Sequence, residues 1–186
     1  MGEARDRWLN EGVLVLAEEG AVGIRIDRIA ARLGLSKGSF HHHFDGAGGY
    51  KRALLAHVEQ ISTAALSEAI AEAEREDDAR VILERLTELV GSRDSGLYRP
   101  KLDVAVRAWA NSDADARAAQ ARIDAARIGA LQRVWRPHVS TDAEARRAAL
   151  LPYLLAVGAS TVTPPVSADE LTTLFEMLLP LVPSQP

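Results

Sequence analysis

The chain has 186 residues, 47% apolar but only 5% aromatic, with no cysteine and a formal net charge of −4. Its length allows one or two compact units with a sizeable core, and its richness in Ala, Leu and Arg with few β-branched runs predicts an all-helical fold. The missing thiol excludes disulfides, cysteine-ligated zinc and thiol catalysis, while the absence of any run near ~18 apolar residues and the charged first seven residues predict a cytoplasmic protein with no membrane partner.

In chain order, a first helix is expected from about Glu3 to Glu19, stopped by Gly20, with Trp8, Leu9, Val13, Val15, Leu16 and Ala17 on a buried face. Ile26, Ile29, Ala30 and Leu33 repeat at helical spacing in a second helix, leaving Arg28, Ala31 and Arg32 on other faces. Gly34 suits a tight turn that requires positive φ. Ser36 is a good N-cap for a third helix, in which Phe40 and Phe44 share one face and Lys37, Ser39, His42 and His43 point outward.

Asp45-Gly46-Ala47-Gly48-Gly49 reads as a flexible break before a long helix from Tyr50 to about Glu76, then a polar turn at Glu76-Asp77-Asp78. A helix from Ala79 to Val90, a loop from Gly91 to Gly96, and a helix opened by Pro100 and running to Ala110 follow. Asn111-Ser112-Asp113 can cap a further helix reaching about Arg136, where Pro137 stops it. Thr141-Asp142-Ala143-Glu144 and Ser167-Ala168-Asp169-Glu170 both fit a capping box. They precede an almost wholly apolar helix over Ala148–Val162 and a stripe of Leu171, Leu174, Phe175, Leu178 and Leu179. About nine helices result, with no internal repeat.

Ile26 to Phe44 has the layout of a helix-turn-helix, whose second helix enters a DNA major groove. Gly38 inside that helix costs roughly 1 kcal/mol relative to Ala, which makes sense if the backbone must approach a duplex closely. Lys37 can reach a phosphate or a guanine edge, and Ser39 a base edge or a phosphate. Charge permits this reading: residues 1–58 hold eight Lys/Arg against seven Asp/Glu, plus four of the five histidines, whereas residues 59–186 carry a net −5. Three consecutive histidines on a helix point about 100° apart and cannot converge on one ion, so no metal is expected.

The segment Leu9 to Phe44 resembles the TetR family of bacterial transcriptional regulators, above all through Ser36-Lys37-Gly38-Ser39-Phe40-His41-His42-His43-Phe44. The family pattern there is (Ser/Thr)-Lys-Gly-(Ser/Thr)-(aromatic/aliphatic)-Tyr-x-His-Phe, from which only His41 departs. Leu102 to Ala110 is similar to a stretch in many members' ligand domains. The resemblance implies a DNA-binding domain over residues 1–46 and a helical effector-binding and dimerisation domain over residues 47–186. It implies DNA contacts from Lys37, Gly38, Ser39, His41, His42 and His43, with Ser36 at the edge of the surface and Arg25 and Arg28 beside it. Two family features are absent. Arg25 stands where a capping Thr is frequent, and Ala47 stands where a phosphate-binding Lys is usual, so that contact is either absent or taken over by Lys51 or Arg52.

Tyr98, Leu102, Val106, Arg107, Trp109, Ile128, Leu131 and Trp135 are candidate effector contacts, although residues of this kind are more often simply core or, for Arg107, part of an ion pair. Leu150, Leu151, Leu154 and Leu155 with Leu171, Leu174, Phe175 and Leu178 are too apolar to leave in water and, by resemblance, pair with a second subunit. No nucleophile–base set, phosphate loop or metal spacing is visible, so neither an enzyme nor a cofactor is expected. The expectation is a homodimeric repressor released from a palindromic operator by a small molecule. A helical small-molecule-binding protein that does not bind DNA is the alternative.

Overall fold

The computed structural model describes residues 2–73, 79–92 and 96–181. Among these residues there are nine α-helices, three short 3-10 turns and no strand. The helices are α1 (Gly2–Glu19), α2 (Ile26–Leu33), α3 (Lys37–His41), α4 (Gly46–Ala73), α5 (Ala79–Gly91), α6 (Pro100–Ala110), α7 (Ala114–Trp135), α8 (Asp142–Thr161) and α9 (Ala168–Glu176). None is long and apolar enough to cross a membrane. The expected turn at Glu76-Asp77-Asp78 and the middle of the loop after Gly91 lie outside the described residues.

The punctuation residues act as their chemistry requires. Gly34 sits at φ 65°, ψ 28°, and its N–H closes α2 onto the carbonyls of Ala30 and Ala31. Asp113 Oδ1 accepts from the N–H groups of Asp115 and Ala116 at 2.9 and 3.0 Å, capping α7. Both capping boxes are complete, Thr141 with Glu144 at the start of α8 and Ser167 with Glu170 at the start of α9.

Three expectations need correction. Asp45–Gly49 is not a break: α4 starts at Gly46, whose φ of 64° turns the chain, and Gly49 N–H already donates to Asp45 O at 3.1 Å. The helical cost of these glycines is offset by the burial of Tyr50, Leu54, Leu55 and Val58 immediately downstream. Secondly, α3 is only five residues long and ends at His41; Phe44 lies beyond it, held by its N–H donating to Phe40 O at 3.0 Å. Thirdly, α9 ends at Glu176, so Leu178 and Leu179 leave the helical stripe.

Packing divides the chain into two compact units, Met1–Ile61 with Lys101–Arg122 and Ser62–Pro100 with Ile123–Pro186. The first thus contains the start of α4, nearly all of α6 and the start of α7 as well as the three N-terminal helices. Its core is Trp8, Val15, Leu16, Ile29, Phe40, Tyr50, Leu54 and Val58, all at or near zero exposure. A side patch of Leu55, Ala116 and Ala119 under Trp109 joins α4 to α7, and Glu59 accepts from Arg122 at 2.8–3.0 Å on the same pair.

In the second unit α5 packs along α9. Ile70, Ile82, Leu86, Leu131, Val134, Trp135, Ala149 and Tyr153 form one continuous core, each such buried apolar side chain worth about 1.5–3 kcal/mol. Polar ties cross it: Tyr98 Oη donates to Val166 O at 2.8 Å, Tyr153 Oη to Asp124 Oδ1 at 2.5 Å, and Arg127 Nε to Ser62 O at 2.9 Å.

Candidate nucleic-acid interface

The chain has nine aromatic residues, and four of them lie in or around α3 and the turn that follows it. Phe40 is fully buried, with ring centroids 5.3 Å from Trp8, 5.3 Å from Phe44 and 5.6 Å from Tyr50. Phe44 and Tyr50 meet edge-to-face at 4.9 Å. Such pairs contribute about 0.5–1.5 kcal/mol each beyond their buried area. A five-residue helix has little stability of its own, so this cluster, gripping α3 from beneath, sets its position.

Above that anchor, Ser36 Oγ accepts from Ser39 N–H at 3.3 Å as the N-cap. Gly38, His41 and His42 are exposed; Ser39 and His43 are half-buried. The backbone of Lys37 opens α3, and its side chain lies outside the described set. His41 stacks edge-on to Phe40 at 5.4 Å and His43 lies against Phe44 at 6.3 Å, while His42 ends the helix without a ring partner among the described contacts. His41 also lines an open depression of about 400 Å³ with Ile24, Arg25, Ile26, Asp27 and Ala47.

Several glycines have a structural reason and Gly38 has none. A Cβ at Gly12 would collide with the Tyr50 hydroxyl, and one at Gly23 would come within 2.7 Å of Glu19 Cβ. Gly20, Gly34 and Gly46 need their positive φ. Gly38 has neither reason: an added Cβ would meet only Ser36 Oγ, at an ordinary 3.6 Å.

Four cations around this surface, Arg25, Arg28, Arg32 and Lys51, are paired internally. Arg25, the N-cap residue of α2, makes no capping bond; it grips Asp27 at 3.1 Å and holds that carboxyl below its usual range. Arg28 pairs with Glu19. Arg32 reaches Glu11 at 2.5 Å, Glu18 at 2.9 Å and Glu19 at 3.6 Å. Lys51 Nζ lies 2.8 Å from Asp113 and 2.7 Å from Asp115, at the turn between α6 and α7. Those two hydrogen bonds raise the lysine's pKa, and the same contact lowers that of Asp113. The acidic partners of Lys51 lie 62 and 64 residues away, and Asn111-Ser112-Asp113 is read from sequence only as a cap. Arg52, the other candidate for the phosphate contact, is exposed.

Elsewhere the candidate residues fall into different surroundings. Leu102, Val106, Arg107 and Trp109 belong to the first unit, whereas Tyr98, Ile128, Leu131 and Trp135 belong to the second. Ile128, Leu131 and Trp135 share one described cluster, within which the Trp135 indole N–H is buried without a hydrogen-bond partner among the described residues. Of the apolar surface residues, Leu151 and Leu154 are 52% and 59% exposed, and Leu150, Leu155, Leu174, Phe175 and Leu178 are half-buried. Leu171 is a correction: at 0% exposure it is spent inside its own chain and cannot face a second copy. No cluster of three or more potential metal ligands occurs among the described residues.

Solved structures share this architecture over nearly the whole chain. A Rhodococcus sp. protein described as a TetR-family transcriptional regulator superposes with a TM-score of 0.75 at 23% identity, covering 99% of this chain and 100% of that one. The chain has the TetR-family fold. NemR of E. coli in its reduced form gives a TM-score of 0.79 at 19% identity, with 99% of each chain covered. A Saccharomonospora viridis protein described as a transcriptional regulator, solved in complex with choline, gives 0.69 at 22% identity and 97% of each chain. No family model and no curated protein sequence matches the chain. Within the TetR-like fold, α2 and α3 form the helix-turn-helix and the aromatic cluster is its base.

Proposed function

We propose that the protein is a homodimeric, DNA-binding transcriptional repressor of the cytoplasm, released from a palindromic operator when a small molecule binds. The observation that carries this reading is Gly38, an exposed helical glycine that nothing in its own chain requires. Residues 1–46 would form the DNA-reading domain and residues 47–186 the effector and dimerisation domain. Ser36, Lys37, Gly38, Ser39, His41, His42 and His43 would face the major groove, and two such helices in a dimer would meet grooves roughly 34–36 Å apart. Arg25 and Arg28 stand beside that surface, each able to exchange its carboxylate for a phosphate. Among similar structures, one holds choline and another is a multidrug-binding protein complexed with imidazole, which supports a small-molecule effector here. An effector entering the second unit's core would find a waiting donor in Trp135 Nε1. Release requires that it bind the two head arrangements with different affinity.

A small-molecule-binding protein with no DNA partner draws support from the internal pairing of Arg25, Arg28, Arg32 and Lys51. Titration of the DNA upstream of the chain's own gene separates the two readings. Saturable binding that weakens steeply with salt, and that is lost in the Lys37→Ala/Gly38→Glu variant, supports the regulator. Absence of binding at low salt, or unchanged affinity in that variant, defeats it.

A further inference from the structure

The contact between Lys51 and the α6–α7 turn brings one ammonium against two carboxylates within the first unit. Lys51 occupies the second turn of α4, next to Tyr50, whose ring packs on Phe40 and Phe44 beneath the recognition segment. It also lies one helical turn after Ala47, which lines the depression shared with His41 and Arg25, so it follows on the same face of α4 as the surface that would meet DNA. Yet its Nζ donates to carboxylate oxygens of Asp113 at 2.8 Å and Asp115 at 2.7 Å, anionic acceptors such as a phosphate would also offer. The triad is net negative, so at a duplex it repels rather than attracts.

Capping does not account for both carboxylates. Asp113 caps α7 through Oδ1 and meets Lys51 through Oδ2, so its two oxygens divide the two tasks. Asp115 is already inside α7, offers Lys51 its carboxylate, and has a half-exposed side chain. A lone cap would leave Lys51 one partner; the second carboxylate turns a cap into a clamp.

We propose that Asp113 and Asp115 act as an internal phosphate mimic that keeps Lys51 from the DNA backbone, so that the α6–α7 turn sets the head's affinity for DNA. This rests on the DNA-binding reading above and adds a regulatory contact to it. Any shift of α6 or α7 that parts the carboxylates from Nζ frees one cation per subunit for a phosphate. A shift that tightens them removes it.

The test is a charge cycle read on a mixed-sequence duplex of about 30 base pairs, since a phosphate contact carries no sequence information. Asp113→Asn/Asp115→Asn keeps the helix cap, because Asn caps as well as Asp, and removes both charges. It is expected to bind about fivefold more tightly at low salt, with the log–log salt slope steeper by about 0.9 per subunit. Lys51→Gln alone is expected to bind no more tightly than the unaltered protein and slightly more weakly at low salt, its two carboxylates then uncompensated, with the salt slope unchanged. Adding Lys51→Gln to the double variant is expected to abolish the gain and restore the original slope. A gain that survives in the triple variant would mean simple loss of two negative charges, and it overturns the proposal. So does a double variant that binds no better while the unaltered protein binds. If the unaltered protein and the double variant both fail to bind at low salt, the DNA-binding reading itself falls and takes this inference with it. Binding by the double variant alone sustains the inference. Thermal unfolding of each variant, expected within a few degrees of the original, confirms that a folded head is compared.

Discussion

The Tyr50 hydroxyl donates a 2.7 Å hydrogen bond to the backbone carbonyl of Trp8, joining α4 to α1 across 42 residues of sequence. It reaches that carbonyl by passing over Gly12, where a side chain would stand in its path. Phe40 of α3 packs on the rings of these same two residues, so this contact bears on the placement of α3 as well as on stability. Gly12→Ala is expected to destabilise the protein by about 1–3 kcal/mol through overpacking. Tyr50→Phe alone is expected to cost about 1 kcal/mol for the lost hydrogen bond. Because the phenolic oxygen is the nearest obstacle to a Cβ at position 12, the double variant should be more stable than the sum of the single losses. Strict additivity in urea denaturation would show that the two positions do not meet as described.

Tyr50 also gives the protein an alkaline limit. Burial is the main cause, with the nearby Glu11 carboxylate adding to it, of a phenol pKa raised well above its ordinary value near 10. A raised folded-state pKa means that the unfolded chain releases the proton first. The stabilising contribution is therefore complete below pH 10 and is lost as pH climbs above it. The expected slope is about 1.4 kcal/mol of stability per pH unit above 10. Urea midpoints for the original and Tyr50→Phe proteins should converge between pH 9 and 11, since the variant lacks this titration. Parallel curves would refute it.

Gly38 separates stability from function. Replacing it with Ala meets only Ser36 Oγ at 3.6 Å and should gain up to about 1 kcal/mol of helix stability. In a complex where the backbone lies against the duplex, the same methyl is expected to weaken DNA binding about tenfold or more, the cost of disturbing one charge-assisted contact. Raised melting temperature with unchanged DNA affinity would remove Gly38 from the interface.

These examples show which features can be read from sequence. The turn at Gly34, the cap at Ser36 and both capping boxes are legible because each is a local device, complete within four residues. The aromatic anchor is half legible: Phe40 and Phe44 at i and i+4 announce one face, but the Trp8 and Tyr50 rings arrive from other helices. The glycines at 46, 48 and 49 mislead, because propensity favours a break and burial of Tyr50 and Leu54 overrides it. The charge of the head is hidden altogether. Arg32 with Glu11 and Lys51 with Asp113 are long-range pairs, so a count that finds a slightly basic head cannot reveal that such cations are already engaged. Leu171 fails for the same reason: an apolar stripe shows that a face is buried, not whether its own chain or a second copy covers it.

The apolar surface of α8 permits a clean division between folding and assembly. Leu151 and Leu154 lie three residues apart on one helix face, 52% and 59% exposed, with Val162 also 51% exposed at the end of the same helix. Leucines this exposed contribute little to the fold of one chain, yet a self-complementary face around them would bury them in a dimer. Leu151→Glu/Leu154→Glu is therefore expected to leave the helical circular dichroism and urea midpoint of the monomer nearly unchanged while abolishing dimers in sedimentation equilibrium. Loss of the dimer should also lower operator affinity, because one recognition helix then binds without its partner. Leu171→Ala is the counter-case: its side chain is wholly buried, so it is expected to cost about 2–5 kcal/mol of stability. If the α8 double variant stays dimeric, the subunits meet elsewhere. If it instead unfolds, that face is packed within its own chain.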